Sequence, residues 1–339
     1  MREHSGIFSY LCFKIAFMNI LLFTFAPQSV LLQALLLVLG VVVVLWGADR
    51  LTEGSVGLAE RMGVSQIVIG LTIVAMGTSM PEFCVSLISS LKGTPDLAVG
   101  NIVGSNIFNA LLIVGVSAVV APMTILHSTV KKDIPFALVA SVILLLMCYD
   151  GKIGRLDALI LSVFFLIFMV FTLKGAKSEH QDGASEKAPM PLLKGVGLVL
   201  LGLLCLVFGS NVFVDNASAI ARTLGVSDAV IGLTIVAGGT SLPELATSVV
   251  AARRGNSGIA IGNVLGSNVF NILFILGVTG LISPMAIMGI TTVDLSMMII
   301  SMILLWLFSF TKYTIARWEG AVLTALFLGY ISYLVAGAV

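Results

Sequence analysis

Apolar runs of helical length, broken by short polar turns, fill the chain after residue 28. About 20 helical residues cross about 30 Å of hydrocarbon. The pattern predicts ten spans, at 29–47, 63–91, 97–120, 133–149 and 155–174, then 194–212, 225–253, 259–282, 294–311 and 318–338. The one long polar stretch, Lys174 to Lys194, holds Lys177, Glu179, His180, Gln181, Asp182 and Glu186. It divides the chain into a five-helix repeat at 28–175, a linker at 176–193 and a second five-helix repeat at 194–339. Residues 1–27, apolar but interrupted by Lys14, have no counterpart in the second half. They fit a signal-like segment, an extra helix, or an upstream start with Met18 as the true one.

The polar words inside the apolar runs occur twice. Gly77-Thr78-Ser79-Met80-Pro81-Glu82 returns as Gly239-Thr240-Ser241-Leu242-Pro243-Glu244, and Gly100 through Asn109 returns as Gly262 through Asn271. Both pairs are offset by 162 positions, and residues 63–83 match 225–245 at 16 of 21 positions. Elsewhere the match fades to general hydrophobicity. Apolar contacts tolerate many residues, so identity held on Thr, Ser, Glu, Asn, Gly and Pro points to one composite site built from both halves.

Five spans per half is an odd number, so the second half enters the membrane from the opposite side. That predicts inverted repeats, a common transporter design. Twelve basic residues (Arg50, Arg61, Lys131, Lys132, Lys174, Lys177, Lys187, Lys194, Arg253, Arg254, Lys312 and Arg317) fall in one set of loops. Four (Lys92, Lys152, Arg155 and Arg222) fall in the other. The positive-inside rule puts the central linker in the cytoplasm.

Composition agrees with a membrane protein. Of 339 residues, 58% are hydrophobic and 10% charged, against about 25% charged in soluble domains. The net charge of +1, without a long basic run, gives no sign of a nucleic-acid partner. Cys12, Cys84, Cys148 and Cys205 have unrelated spacings in apolar segments, which fits core packing rather than a disulfide framework or metal site.

Pro81 lacks an amide hydrogen and should break its helix. Gly77 lets the backbone open, and Thr78 or Ser79 can cap the half-helix that restarts at Pro81. The break should free carbonyls near Ala75 and Met76, and such carbonyls at a half-helix end are good cation ligands. Glu82 shares a face with Thr78 and Ser79. Ala237, Thr240, Ser241 and Glu244 should mirror this arrangement. The third helices add Ser105 with Asn109 and Ser267 with Asn271, while Gly100, Gly104, Gly262 and Gly266 permit close approach. A carboxylate in mid-bilayer costs about 2.5–3.5 kcal/mol or more. Two that share a site need a proton or a cation between them. The candidate donors are all oxygens, which suits Ca²⁺, Na⁺ or Mg²⁺ and disfavours Zn²⁺ or Cu²⁺. Plainer roles compete: interfacial glutamates, hydroxyls that only cap, Gly-Ser-Asn words that only pack, and asparagines that bond to neighbouring helices.

Gly-Thr-Ser-x-Pro-Glu in both halves, each followed by Gly-Asn-x-x-Gly-Ser-Asn-x-x-Asn, resembles the two alpha repeats of the calcium/cation antiporter superfamily. The prokaryotic sodium/calcium exchanger branch is the best match. The resemblance covers essentially the whole chain after residue 28. It implies an all-α polytopic membrane protein of ten transmembrane helices in two inverted five-helix repeats, with broken helices at a mid-membrane ion site and alternating access. Carried over by motif position, the ligands are Glu82, Glu244, Thr78, Thr240, Ser79, Ser241, the carbonyls of Ala75 and Ala237, Ser105, Asn109, Ser267 and position 271. Some prokaryotic members carry Asp at that last position; here it is Asn271, which removes one carboxylate.

The expected function is a secondary antiporter exchanging Na⁺ for Ca²⁺, with no cofactor beyond the transported ions. Its surroundings would be the lipid bilayer of a prokaryotic cell (inner) membrane, and a monomer would suffice. A proton-coupled Ca²⁺ or other divalent-cation exchanger on the same scaffold is the alternative. A cation channel is more remote, and so is an intramembrane enzyme using Ser79 or Ser241, since no histidine lies in the repeated words.

Overall fold

The computed structural model describes residues 29–175, 190–226, 231, 235, 237–287 and 289–338. Helix α1 runs over Val30–Met62. It is followed by α2 (Gln66–Thr78), α3 (Met80–Leu91), α4 (Pro95–Val120), α5 (Thr129–Asp150) and α6 (Arg155–Gly175). After the linker come α7 (Leu192–Thr223), α8 (Ala237–Thr240), α9 (Leu242–Arg253), α10 (Ser257–Ile282), α11 (Thr292–Ser309) and α12 (Arg317–Ala338). Among the described residues, eight helices are long and apolar enough to cross a membrane. The α2–α3 pair, bent by 46°, makes a ninth. The extension at 1–27, linker residues 176–189 and most of the segment leading into α8 lie outside the described residues.

The first helix of each half is longer than its apolar run. Helix α1 has 33 residues and α7 has 32, about 50 Å each at 1.5 Å per residue. The expected end near residue 47 is overturned because the charges beyond it neutralise one another. Arg50 bonds Asp49 at 2.6 Å and Glu53 at 2.7 Å, and Arg254 pairs with Asp49. The two long helices pack through glycines seven residues apart. A Cβ on Gly40, Gly47 or Gly54 would lie 2.8–2.9 Å from the carbonyl of Gly209, Gly202 or Gly195. Such spacing lets backbones touch, as helix packing in lipid favours.

Two short antiparallel strand pairs tie connections of one half to the other. Strand β1 (Met123–Thr124) pairs with β4 (Thr314–Ile315), and β2 (Lys152–Ile153) with β3 (Met285–Ala286). Helices α2, α3, α4, α9 and α10 meet at the centre, where Ile107, Leu111, Val264, Leu265 and Phe270 are buried. Helix α10 is 94% buried over its apolar window, against 72% for α4.

Candidate functional site

The proline breaks set up the centre. Ser79 leaves helical geometry at ψ 7° and Ser241 at ψ 6°, each just before the restarted helix. Neither hydroxyl caps that helix, contrary to expectation. Each crosses to the other half instead. Ser79 donates to Glu244 Oε1 at 2.8 Å, and Ser241 donates to Glu82 Oε1 at 2.9 Å. A buried carboxylate outcompetes a backbone amide for the hydroxyl, because hydrogen bonds to charged groups are the stronger ones. Ser105 lies 3.1 Å from Ser241 Oγ, whose only proton goes to Glu82, so Ser105 is the donor.

Both glutamates are buried, and among the described residues neither has a basic partner. Among the described residues, Glu82 Oε2 and Glu244 Oε2 are buried without a hydrogen-bond partner. So are Asn109 Oδ1, Asn271 Oδ1 and Ser267 Oγ. Leaving such groups unmade costs about 1–3 kcal/mol each, more for charged ones. Four of these five atoms pair off by the 162-residue offset, and all are hard oxygens. Among the described residues no cluster of three or more His, Cys, Asp or Glu exists, so the charge rests on two carboxylates. That donor set fits a hard cation as cargo.

Further contacts fix the frame. The Thr78 hydroxyl lies 3.1 Å from both the Val74 carbonyl and Asn263 Oδ1. Thr240 interacts with the Glu82 carboxylate, and Ser267 lies beside that of Glu244. The Ala75 carbonyl is not freed as expected. It accepts the Ser79 amide at 3.0 Å, because the break falls one turn later, and the Thr78 hydroxyl lies 3.3 Å away. Ala237, its counterpart, opens α8.

Several residues were missed as site components. Asn101 Nδ2 donates to the Glu82 carbonyl at 3.3 Å and Ser86 Oγ at 3.1 Å. Asn263 Nδ2 does the same for Glu244 at 3.2 Å and Ser248 at 2.9 Å. Asn109 and Asn271 sit in π-helical turns, Phe108–Ile113 and Phe270–Ile275. These wider turns are frequent at functional sites. Their carboxamides bond to Asn268 and Asn106. The recurrence of Asn101, Asn106, Asn263 and Asn268 at the common offset was the available signal.

A Cβ on Gly262 or Gly266 would lie 2.6 Å from the Ile67 or Leu71 carbonyl of α2. Close approach therefore holds for α10. For Gly100 and Gly104 of α4, the positions 162 residues beyond Ile67 and Leu71 lie outside the described residues.

The model of the sodium/calcium exchanger protein family matches residues 32–174 and 194–336. The chain belongs to the sodium/calcium exchanger family. Its members are transporters rather than enzymes, so this exchanger homologue is an integral membrane antiporter for cations. It is 37% identical over 263 residues to inner membrane protein YrbG of Escherichia coli (strain K12), covering 75% of this chain and 81% of that one. It is 33% identical over 345 residues to sodium/calcium exchanger MaX1 of Methanosarcina acetivorans, covering 88% and 97%. The solved sodium-calcium exchanger NCX_Mj, soaked with Na⁺ and Ca²⁺, superposes with a TM-score of 0.79. That match has 33% identity and covers 90% of this chain and 99% of that one.

Proposed function

We propose that this exchanger moves Na⁺ against Ca²⁺ by alternating access through one central site. The observation that carries the reading is the interlocked pair Ser79–Glu244 and Ser241–Glu82, with the second oxygen of each carboxylate free. Two carboxylates balance one Ca²⁺, and neutral oxygens complete the six to eight ligands that Ca²⁺ prefers. The ligand set is Glu82, Glu244, Thr78, Thr240, Ser79, Ser241, Ser105, Asn109, Ser267 and Asn271, with the second lone pair of the Ala75 carbonyl and the carbonyl of Ala237. Sodium uses the same oxygens, and competition couples the two fluxes.

The proposed topology is ten crossings in two inverted repeats, 28–175 and 194–339, joined by a cytoplasmic linker at 176–193. The strand pairs support it. With inverted halves, the third connection of the first half shares a side with the last connection of the second, and the fourth shares a side with the third. Parallel halves would exchange these partners. Strands β1 and β4, and β2 and β3, pair in the inverted way. One chain supplies both halves, so a monomer suffices, in the inner membrane of a prokaryotic cell.

The test is Ca²⁺ uptake into Na⁺-loaded proteoliposomes diluted into Na⁺-free buffer, beside a parallel set carrying only a pH gradient. Uptake that needs internal Na⁺ is expected. Uptake driven by the pH gradient alone would move the protein to proton coupling, which two buried carboxylates can also serve. Flux without any counter-ion would make it a channel.

A further inference from the structure

Asn106 and Asn268 lie one step behind the free oxygens, on α4 and α10. Their carboxamides meet those of the opposite half crosswise. Asn109 Nδ2 donates to Asn268 Oδ1 at 3.1 Å, and Asn271 Nδ2 donates to Asn106 Oδ1 at 3.1 Å. Chemistry decides which end of each group faces which way. Asn106 Nδ2 faces the Asn268 carbonyl at 3.3 Å and Met298 Sδ at 3.9 Å, neither of which can donate. Asn268 Nδ2 faces Met302 Sδ at 3.3 Å, again an acceptor only. Both Oδ1 atoms therefore point at residues 271 and 109, where only a donor is welcome.

That demand turns the amide nitrogens of Asn109 and Asn271 outward and their oxygens inward. Asn109 lies one helical turn from Ser105, which touches Ser241 on Glu82. Asn271 lies one turn from Ser267, beside Glu244. Among the described residues the two Oδ1 atoms are buried there without a partner. We propose that Asn106 and Asn268 are positioning residues that aim Asn271 Oδ1 and Asn109 Oδ1 at the transported cation, and that Met298 and Met302 hold their orientation. This rests on the ion-site reading above and deepens it.

The support is one-sided. The four asparagines obey the 162-residue offset, but Met298 and Met302 correspond to Phe136 and Ala140, which have no comparable acceptor. Both amides are thus held from α11, and the repeat symmetry ends one residue behind the site. A purely structural role, interhelical hydrogen bonding in lipid, would also use these contacts. It would not link Asn106 to Asn271 more than to Asn109 in ion affinity.

The experiment uses the full chain in proteoliposomes for Na⁺-driven Ca²⁺ uptake, and in detergent for the Ca²⁺-induced shift in Tm. The variants are Asn106→Leu, Asn271→Ala, Asn109→Ala and the two doubles that contain Asn106→Leu. Asn106→Leu should raise the Ca²⁺ KM about tenfold, as loss of an outer partner of a metal ligand does, with a smaller change in maximal rate. The effect should vanish in the Asn271→Ala background and persist in the Asn109→Ala background. Met302→Leu keeps the volume and removes only the sulfur acceptor. It serves if Asn106→Leu fails to fold, and should raise KM less, with the effect lost in Asn109→Ala. Additive effects in both backgrounds, or a lower Tm with wild-type KM, would overturn the positioning role. A wild-type protein with neither Ca²⁺ uptake nor a Ca²⁺ shift would instead remove the ion site, and this inference with it.

Discussion

Ser79 donates its hydroxyl hydrogen to Glu244 Oε1 over 2.8 Å, across 165 positions of sequence and from one half of the chain to the other. With its mirror, Ser241 to Glu82, it makes each carboxylate depend on the opposite repeat. Each carboxylate is held from the other half, so displacement of one half against the other changes both at once.

The carboxylates give the most direct prediction. Glu82→Gln and Glu244→Gln should each abolish Na⁺-driven Ca²⁺ uptake, since one negative charge no longer balances a divalent ion. A buried charge costs about 2.5–3.5 kcal/mol on membrane insertion scales. In the ion-free pair the amide takes the place of the protonated partner, so the ion-free variants should melt no lower than wild type while losing the Ca²⁺-induced shift. Thermal melts with and without Ca²⁺ check both signs, and wild-type uptake in either variant would remove that glutamate from the site.

The serines differ in what they leave behind. Ser79→Ala strips one hydrogen bond from Glu244, worth about 1.5–3 kcal/mol for a charged acceptor. Ser241→Ala strips the same bond from Glu82 and also strands Ser105. Ca²⁺ affinity should fall at least tenfold in both, and further in Ser241→Ala. Isothermal titration of purified variants gives the order; a larger loss in Ser79→Ala would refute the unequal support.

Much of this centre is legible in the sequence, because polar identity survives in apolar surroundings only where chemistry needs it. Glu82, Glu244 and their neighbouring hydroxyls stand out for that reason. Helical spacing, however, reports neighbours along one helix. It pairs Ser79 with Glu82 and is silent on Glu244, which meets Ser79 only after the halves interlock. The same limit hides Asn106 and Asn268, whose partners lie 165 and 159 positions away. The length of α1 is hidden in the sequence because Asp49, Arg50 and Glu53 look like a helix end. Their charges cancel within the fold, and the helix continues to Met62.

The close approach of α10 to α2 gives a packing prediction. Gly266→Ala would put a Cβ 2.6 Å from the Leu71 carbonyl and 2.7 Å from Ala75 Cβ. Backbone cannot yield there cheaply, and overpacking of this kind costs about 1–3 kcal/mol. Gly266→Ala should therefore melt lower than wild type and turn over poorly in proteoliposomes. Thermal melts and Ca²⁺ uptake check both, and a wild-type Tm would argue against the packing of α10 on α2 at Gly266.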